Sequence, residues 1–183
     1  MRLNEIGRRH GTDKSDLHHG YLDIYERVLP RQLRGSLLEL GWLDGASVRT
    51  WREWLPHWEI TGLDIDSKEP IPGINFVQGK QDDPAVLDLL DEYDVIIDDA
   101  SHESDKTIAS FELLWPHLKS HGLYFIEDIQ TSYFPTWNFR GGPSAMQYFK
   151  DLADLVNSRY TTEMREDVAH VGFWPGLVLV VKA

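Results

Sequence analysis

Among the adjacent acidic pairs of this sequence, two stand directly behind short apolar, strand-like runs. Asp98-Asp99 begins the run Asp98-Asp99-Ala-Ser-His102, and Glu127-Asp128 follows a short apolar stretch. Each pair closes a strand-like run, Tyr93–Ile97 and Gly122–Ile126. Neighbouring parallel strands lie about 4.8 Å apart, so carboxylates at two such ends can converge on one cation. Oxygen-only ligands favour Mg²⁺, Ca²⁺ or Mn²⁺ over zinc. His102, three residues beyond Asp99, is placed to act as a general base over the same site. Two further acids follow the same logic. Glu39 precedes the glycine turn Gly41-Trp-Leu-Asp-Gly45 and Ser47, and Asp64 closes Glu59–Leu63. An acid at the end of a second strand can hydrogen-bond ribose hydroxyls, and Asp66 is close enough to share that role. Asp also follows strands simply because it caps the next helix, which accounts for a single acid better than for two adjacent pairs.

Alternating apolar runs and helical patterns position these residues. Strands are expected at Ser36–Leu40, Glu59–Leu63, Ile74–Val77, Tyr93–Ile97 and Gly122–Ile126. Helices are expected near Val48–Leu55, Pro84–Asp91, Lys106–Leu118 and Ala145–Val156. Val168–Trp174 and Leu177–Lys182, joined by Pro175-Gly176, read as a hairpin. The alternation implies a parallel sheet with helices on both faces, and ligands then bind beyond the carboxyl ends of the strands. The acids lie at those ends. The segment Thr131–Gly142, aromatic and glycine-punctuated, suits a lid over the site or an ordinary loop.

Composition narrows the classes. With 18 Lys and Arg against 30 Asp and Glu, the 183-residue chain has a net charge of −12, which argues against nucleic acid and anionic lipid as partners. It contains no cysteine, so disulfides, thiolate zinc sites and thiol nucleophiles drop out. No stretch reads as a signal peptide or a membrane span, and a cytoplasmic location is expected. The glycine turn is neither G-x-G-x-x-G nor a P-loop, which disfavours a dehydrogenase or an NTPase.

Taken together, Gly11-Thr-Asp-Lys14, His19-Gly-Tyr21 with Tyr25, Leu38-Glu-Leu-Gly41, Gly45-Ala-Ser47, Gly62-Leu-Asp64, Gly79-Lys-Gln-Asp82, Ile97-Asp-Asp-Ala-Ser-His102 and Tyr124-Phe-Ile-Glu-Asp128 resemble the class I S-adenosylmethionine-dependent methyltransferases. More narrowly, the chain is similar to the metal-dependent sugar O-methyltransferases of macrolide biosynthesis. The resemblance implies an α/β Rossmann-like fold: a seven-stranded, mostly parallel sheet with a C-terminal antiparallel hairpin. It implies one domain over residues 1–183, with residues 1–30 as a helical cap over the cofactor pocket. By the same resemblance Asp99, Glu127 and Asp128 match metal ligands and His102 the catalytic base. Glu39, Gly41, Gly45 and Ser47 match the cofactor turn, Asp64 the ribose acid, and Gln81 and Asp82 the adenine side. Lys14 and Tyr21 match a segment closing the cofactor pocket, and Asp98 is grouped with the cofactor contacts.

The implied cofactors are S-adenosylmethionine and Mg, and the implied acceptor is a hydroxylated small molecule, a sugar or glycosylated natural product. Ala100 stands where the family usually has glycine, which is tolerated unless the backbone there needs positive φ. The large N-terminal domain of some relatives has no counterpart in the sequence, so homo-oligomerisation stays open. Two other readings use the same acids: a metal-dependent hydrolase, and a non-catalytic nucleoside-binding domain.

Overall fold

The computed structural model describes residues 2–29, 34–137, 142–158 and 165–183. Its centre is a seven-stranded sheet built from β1 (Ser36–Leu40), β2 (Glu59–Asp64), β3 (Ile74–Gln78), β4 (Tyr93–Asp98), β5 (Leu118–Glu127), β6 (Val168–Trp174) and β7 (Leu177–Lys182). The strand order is β3-β2-β1-β4-β5-β7-β6. The first five strands run parallel, and β7 and β6 join antiparallel beyond β5. The hairpin inserts β7 between β5 and the edge strand β6. This is the mixed, mostly parallel sheet expected of a class I methyltransferase.

Both sheet faces are covered, which is why the inner strands read as unbroken apolar runs. Leu38, Leu40, Ile96, Tyr124 and Ile126 face α5 (Ser104–Leu114) and α6 (Ala145–Asn157), where Phe111 and Phe149 pack. Leu37, Val95, Ile97 and Phe125 face α1 (Leu3–His10), α2 (Tyr21–Val28) and α3 (Ala46–Trp54). On that side Tyr25 meets the Trp51 ring edge-on at 5.1 Å. The N-terminal helices are thus part of a core face. No helix of the described residues is long and apolar enough to cross a membrane.

The largest differences from the sequence expectation are at three element boundaries, each for a local reason. Helix α4 stops at Leu87 rather than Asp91. Asp83 caps its start by accepting from the Ala85 amide at 3.0 Å, but Asp88, Asp91 and Glu92 crowd its far end, where the helix dipole repels acids. Leu89, 83% exposed, has no core to enter. Helix α5 stops at Leu114, because Pro116 cannot continue it. Leu118 then becomes the first residue of β5, paired with Tyr93, four residues ahead of the expected start at Gly122.

The register levels the strand ends. Leu40 lies opposite both Leu63 and Asp98, and Asp98 lies opposite Ile126. Strand order reverses between β1 and β4, and the crevice that opens at such a point is where ligands bind in sheets of this kind.

Candidate active site

Gly41 leaves β1 at that crevice with φ +87°. A Cβ there would stand 2.2 Å from the Asp99 carbonyl oxygen, so only glycine lets the two strand ends approach. The Asp99 amide donates to the Leu40 carbonyl at 3.0 Å, which locks the two turns together. Gly45, at φ +80°, closes the turn with its amide on the Trp42 carbonyl at 2.7 Å and starts α3.

Two cavities adjoin at this turn and share Gly41, Asp64 and Ala100 as walls. The first, about 410 Å³, is also walled by Lys14, Ser47, Asp99, His102 and Asp128. The second, about 500 Å³, is walled by Ile65, Gln81, Asp82 and Ser101 among others. The remaining residues singled out from the sequence, Tyr21, Glu39, Gly45, Asp98 and Glu127, do not line either cavity and act from behind the walls. The first cavity is acidic: Asp13, Asp44, Asp64, Asp66, Asp99 and Asp128 face Lys14 and Lys68. Both lysines are engaged with wall acids, so the space suits a cationic ligand.

Asp64 is already well supplied with donors. It accepts from the amides of Trp42 at 2.8 Å, Leu43 at 3.2 Å and Asp66 at 2.9 Å, with Lys68 Nζ at 3.2 Å. Burial opposes its charge, but the Asp66 and Trp42 amides and Lys68 outweigh it and hold the carboxyl below its ordinary range. Asp64 therefore shapes the glycine turn as well as facing both cavities. Asp66 does not substitute for it as turn anchor, its own amide being one of the donors.

The acids at the ends of β4 and β5 divide into two groups. Atoms of Asp99, His102 and Asp128 all lie within 4.8 Å of one another. His102 Nε2 is 4.0 Å from Asp99 Oδ1 and 3.8 Å from Asp128 Oδ2. Glu127, grouped with the metal ligands from sequence, lines neither cavity and stands across the Lys14 ammonium from Asp99. It is 3% exposed and accepts from Tyr25 at 2.6 Å and from Lys14 Nζ at 2.8 Å. The cause is local: Glu127 is the last residue of β5, whereas Asp128 adopts φ +51°, which redirects its side chain into the cavity. Tyr21 donates to Asp128 Oδ1 at 2.8 Å, and Gln130 Nε2 donates to the same oxygen at 2.9 Å. Burial works against the Asp128 charge, but Gln130, Tyr21 and the nearby imidazoles hold its carboxyl below the usual range.

Lys14 is the buried counterpart of this cluster. It is 1% exposed, and its ammonium contacts Asp99, Glu127 at 2.8 Å and Glu39 at 3.4 Å. Burial disfavours the charge, yet Asp99, Glu127 and Glu39 together raise its affinity for the proton well above the ordinary lysine value. Glu39 also accepts from Ser47 at 2.9 Å, and burial, only partly offset by Lys14, pushes its carboxyl up to about 7. So Glu39 and Ser47 connect β1 to α3 beneath the turn.

Asp98 is 2% exposed and forms no ion pair among the described residues. It accepts from Ser110, from Gln81 Nε2 at 3.2 Å and from the Ala100 amide at 3.4 Å. Burial pushes its carboxyl from 3.8 up to about 7 in spite of these donors. The folded chain therefore binds more protons here than the unfolded chain between about pH 4 and pH 7, and stability falls as pH rises through that window. Asp98→Asn is expected to flatten that part of the urea-stability profile; an unchanged profile would assign the dependence to another acid.

Ala100 does not have positive φ, so it serves where glycine is usual without backbone strain. His102 does, at φ +57°. Sequence reasoning gave no role to two residues at the site. His19 stacks on Tyr21 at 5.1 Å and points Nδ1 at Asp128 from 3.9 Å. Lys68 holds Asp64 and the Leu43 carbonyl. The close spacing of His19 and Tyr21 was a usable signal for the first; nothing marked the second. Of the expected lid, Thr131–Trp137 is described, and the Trp137 ring approaches His102 edge-on at 6.3 Å; residues 138–141 lie outside the described residues.

No family model matches the chain. It is 31% identical, over 84% of its length, to the mycinamicin VI 2''-O-methyltransferase of Micromonospora griseorubida, and covers 44% of that protein. It is 34% identical, over 98% of its length, to the 8-demethyl-8-alpha-L-rhamnosyl tetracenomycin-C 2'-O-methyltransferase of Streptomyces olivaceus, and covers 54% of it. The chain thus spans about half the length of these curated relatives. Among solved structures it is similar to a methyltransferase from the mycinamycin biosynthetic pathway in complex with Mg, SAH and mycinamycin VI. The TM-score is 0.90 and the identity 27%, with 100% of this chain and 53% of that one covered. By sequence the chain is related to the O-methyltransferases of mycinamicin and rhamnosyl tetracenomycin, and its fold is that of the class I methyltransferases.

Proposed function

We propose that the chain transfers a methyl group from S-adenosylmethionine to a hydroxyl of a small-molecule acceptor, a sugar or a glycosylated natural product, with the help of an Mg²⁺-type ion. The observation that carries this reading is the convergence of His102, Asp99 and Asp128 on the wall of an acidic cavity at the β1/β4 crevice. The related complex containing Mg and SAH supports it.

The residues present fit both groups. Two carboxylates open to the same cavity are hard oxygen donors suited to an Mg²⁺-type cation, with the His102 imidazole beside them. The acidic cavity suits a sulfonium and an amino group, and the adjoining one, with Leu63 and Ile65 beside Gln81 and Asp82, suits a nucleoside base. The sulfonium supplies an activated methyl group, and the ion supplies acidification of a coordinated hydroxyl and fixes its direction.

The protein's own groups do the rest. Asp99 and Asp128 would hold the ion, and Glu127 would join them only on leaving Tyr25 and Lys14. His102 Nε2 would accept the acceptor's proton, since it faces the cavity without a direct hydrogen bond to either carboxylate. Trp137 and Thr131 bound the space around His102, the latter by donating to the His102 carbonyl at 3.1 Å. Holding the reacting atoms in line supplies much of the remaining acceleration.

One observation favours a second role for His102: its ring nitrogen belongs to the three-residue cluster, so it could itself be a ligand. Mg²⁺ affinity of a His102 variant separates the two roles. The test of the function is methyl transfer to glycosylated polyketide acceptors, followed by mass spectrometry. EDTA should abolish turnover and Mg²⁺ restore it, while S-adenosylhomocysteine binding survives chelation. Full turnover in EDTA would remove the metal from the mechanism.

A further inference from the structure

The turn from Asp99 to Glu103 carries both the base and a proposed metal ligand, and it is strained. A non-glycine residue at φ +57°, as His102 is here, persists only where its surroundings hold it. What holds this turn is visible group by group. The Asp99 amide is fixed by Leu40, the Ala100 amide by Asp98 and the His102 carbonyl by Thr131. The Glu103 amide donates to Ser101 Oγ at 3.3 Å, and the Ser101 amide, between Asp99 and His102, donates to Gln81 Oε1 at 2.9 Å.

Gln81 comes from a different part of the site, the loop after β3 that walls the second cavity beside Asp82. It is 6% exposed, and both ends of its amide are engaged within the protein. Its Nε2 donates to Asp98 at 3.2 Å, with Ser110 Oγ at 3.4 Å, while its oxygen holds Ser101. A residue committed in this way has little left for a base to recognise.

We infer that Gln81 is a positioning residue that ties the nucleoside half of the groove to the turn carrying Asp99 and His102. Its job is then to aim the chemical groups, with Asp82 left as the polar group of that loop facing a ligand. The inference rests on the methyltransferase reading for its consequences, but the link itself is a property of the fold.

The experiment uses the full chain and two variants, Gln81→Ala and the exchange Gln81→Glu with Asp98→Asn. The exchange keeps an acceptor for the Ser101 amide and restores one donor and one acceptor between positions 81 and 98. Three quantities are measured: hydrogen exchange of the Ser101 amide, Mg²⁺ affinity by calorimetry, and S-adenosylhomocysteine affinity. Removing a partner that orients a ligand residue typically costs 10–100-fold in metal affinity. Gln81→Ala should lower Mg²⁺ affinity about tenfold and speed Ser101 exchange about tenfold, with S-adenosylhomocysteine affinity changed less than about threefold. The exchange variant should recover both, which a merely space-filling role would not produce. Unchanged Ser101 exchange would overturn the inference, as would a tenfold loss of S-adenosylhomocysteine affinity with Mg²⁺ affinity intact. If the unaltered chain binds neither ligand while the Ser101 effect and its rescue appear, the link stands and the methyltransferase reading falls. If Gln81→Ala does not fold, Gln81→Met, which fills the volume without an acceptor for the Ser101 amide, gives the same decision.

Discussion

His102→Asn should lower kcat by about 10²–10⁴-fold, the usual cost of removing a general base. Asparagine is chosen because it tolerates the left-handed backbone at this position better than alanine does. Binding of S-adenosylhomocysteine and of Mg²⁺ should change little, because the proton acceptor is lost while Asp99 and Asp128 remain. A different pattern, with Mg²⁺ affinity down 10–100-fold and kcat recovering at high Mg²⁺, would make His102 a ligand instead. A near-normal kcat at saturating acceptor would leave it a structural role only.

The second large effect concerns folding. Lys14→Met should destabilise the chain by about 3–5 kcal/mol, the range for removing one partner of a buried ion pair. Lys14 is the ammonium among Glu39, Asp99 and Glu127, and methionine fills its volume without its charge. For a chain of this size that loss corresponds to a Tm lower by roughly 6–20 °C. The deficit should be larger at pH 8 than at pH 5, because acids buried without a cation fold more readily when protonated. Adding Glu127→Gln should recover part of it. A loss under about 1 kcal/mol would place Lys14 among ordinary surface pairs.

Much of the sheet was legible because both faces are buried. Runs such as Ser36–Leu40 and Tyr93–Ile97 have no polar alternation to blur them, and glycine or acid marks their ends. The helix ends were less legible: Pro116 signalled the stop of α5, but Leu118 looked like helix until its pairing with Tyr93 made it strand. In the site, the acids were visible because each follows a strand. Which way each points was not. Glu127 and Asp128 are neighbours in sequence, yet one reaches Tyr25 and the other the cavity, a division set by the backbone at Asp128. The ion cluster of Lys14 was hidden for another reason: its partners stand 25, 85 and 113 positions away, and only the landing of the 11–20 loop on the strand ends brings them together.

The most direct test of the central claim is calorimetric titration of S-adenosylmethionine into the chain with Mg²⁺ and again with EDTA. One saturable site per chain in both conditions, weakened at least about tenfold by Asp64→Ala, is the predicted result, since charge-assisted hydrogen bonds are worth about 1.5–3 kcal/mol each. No detectable binding under either condition would contradict it.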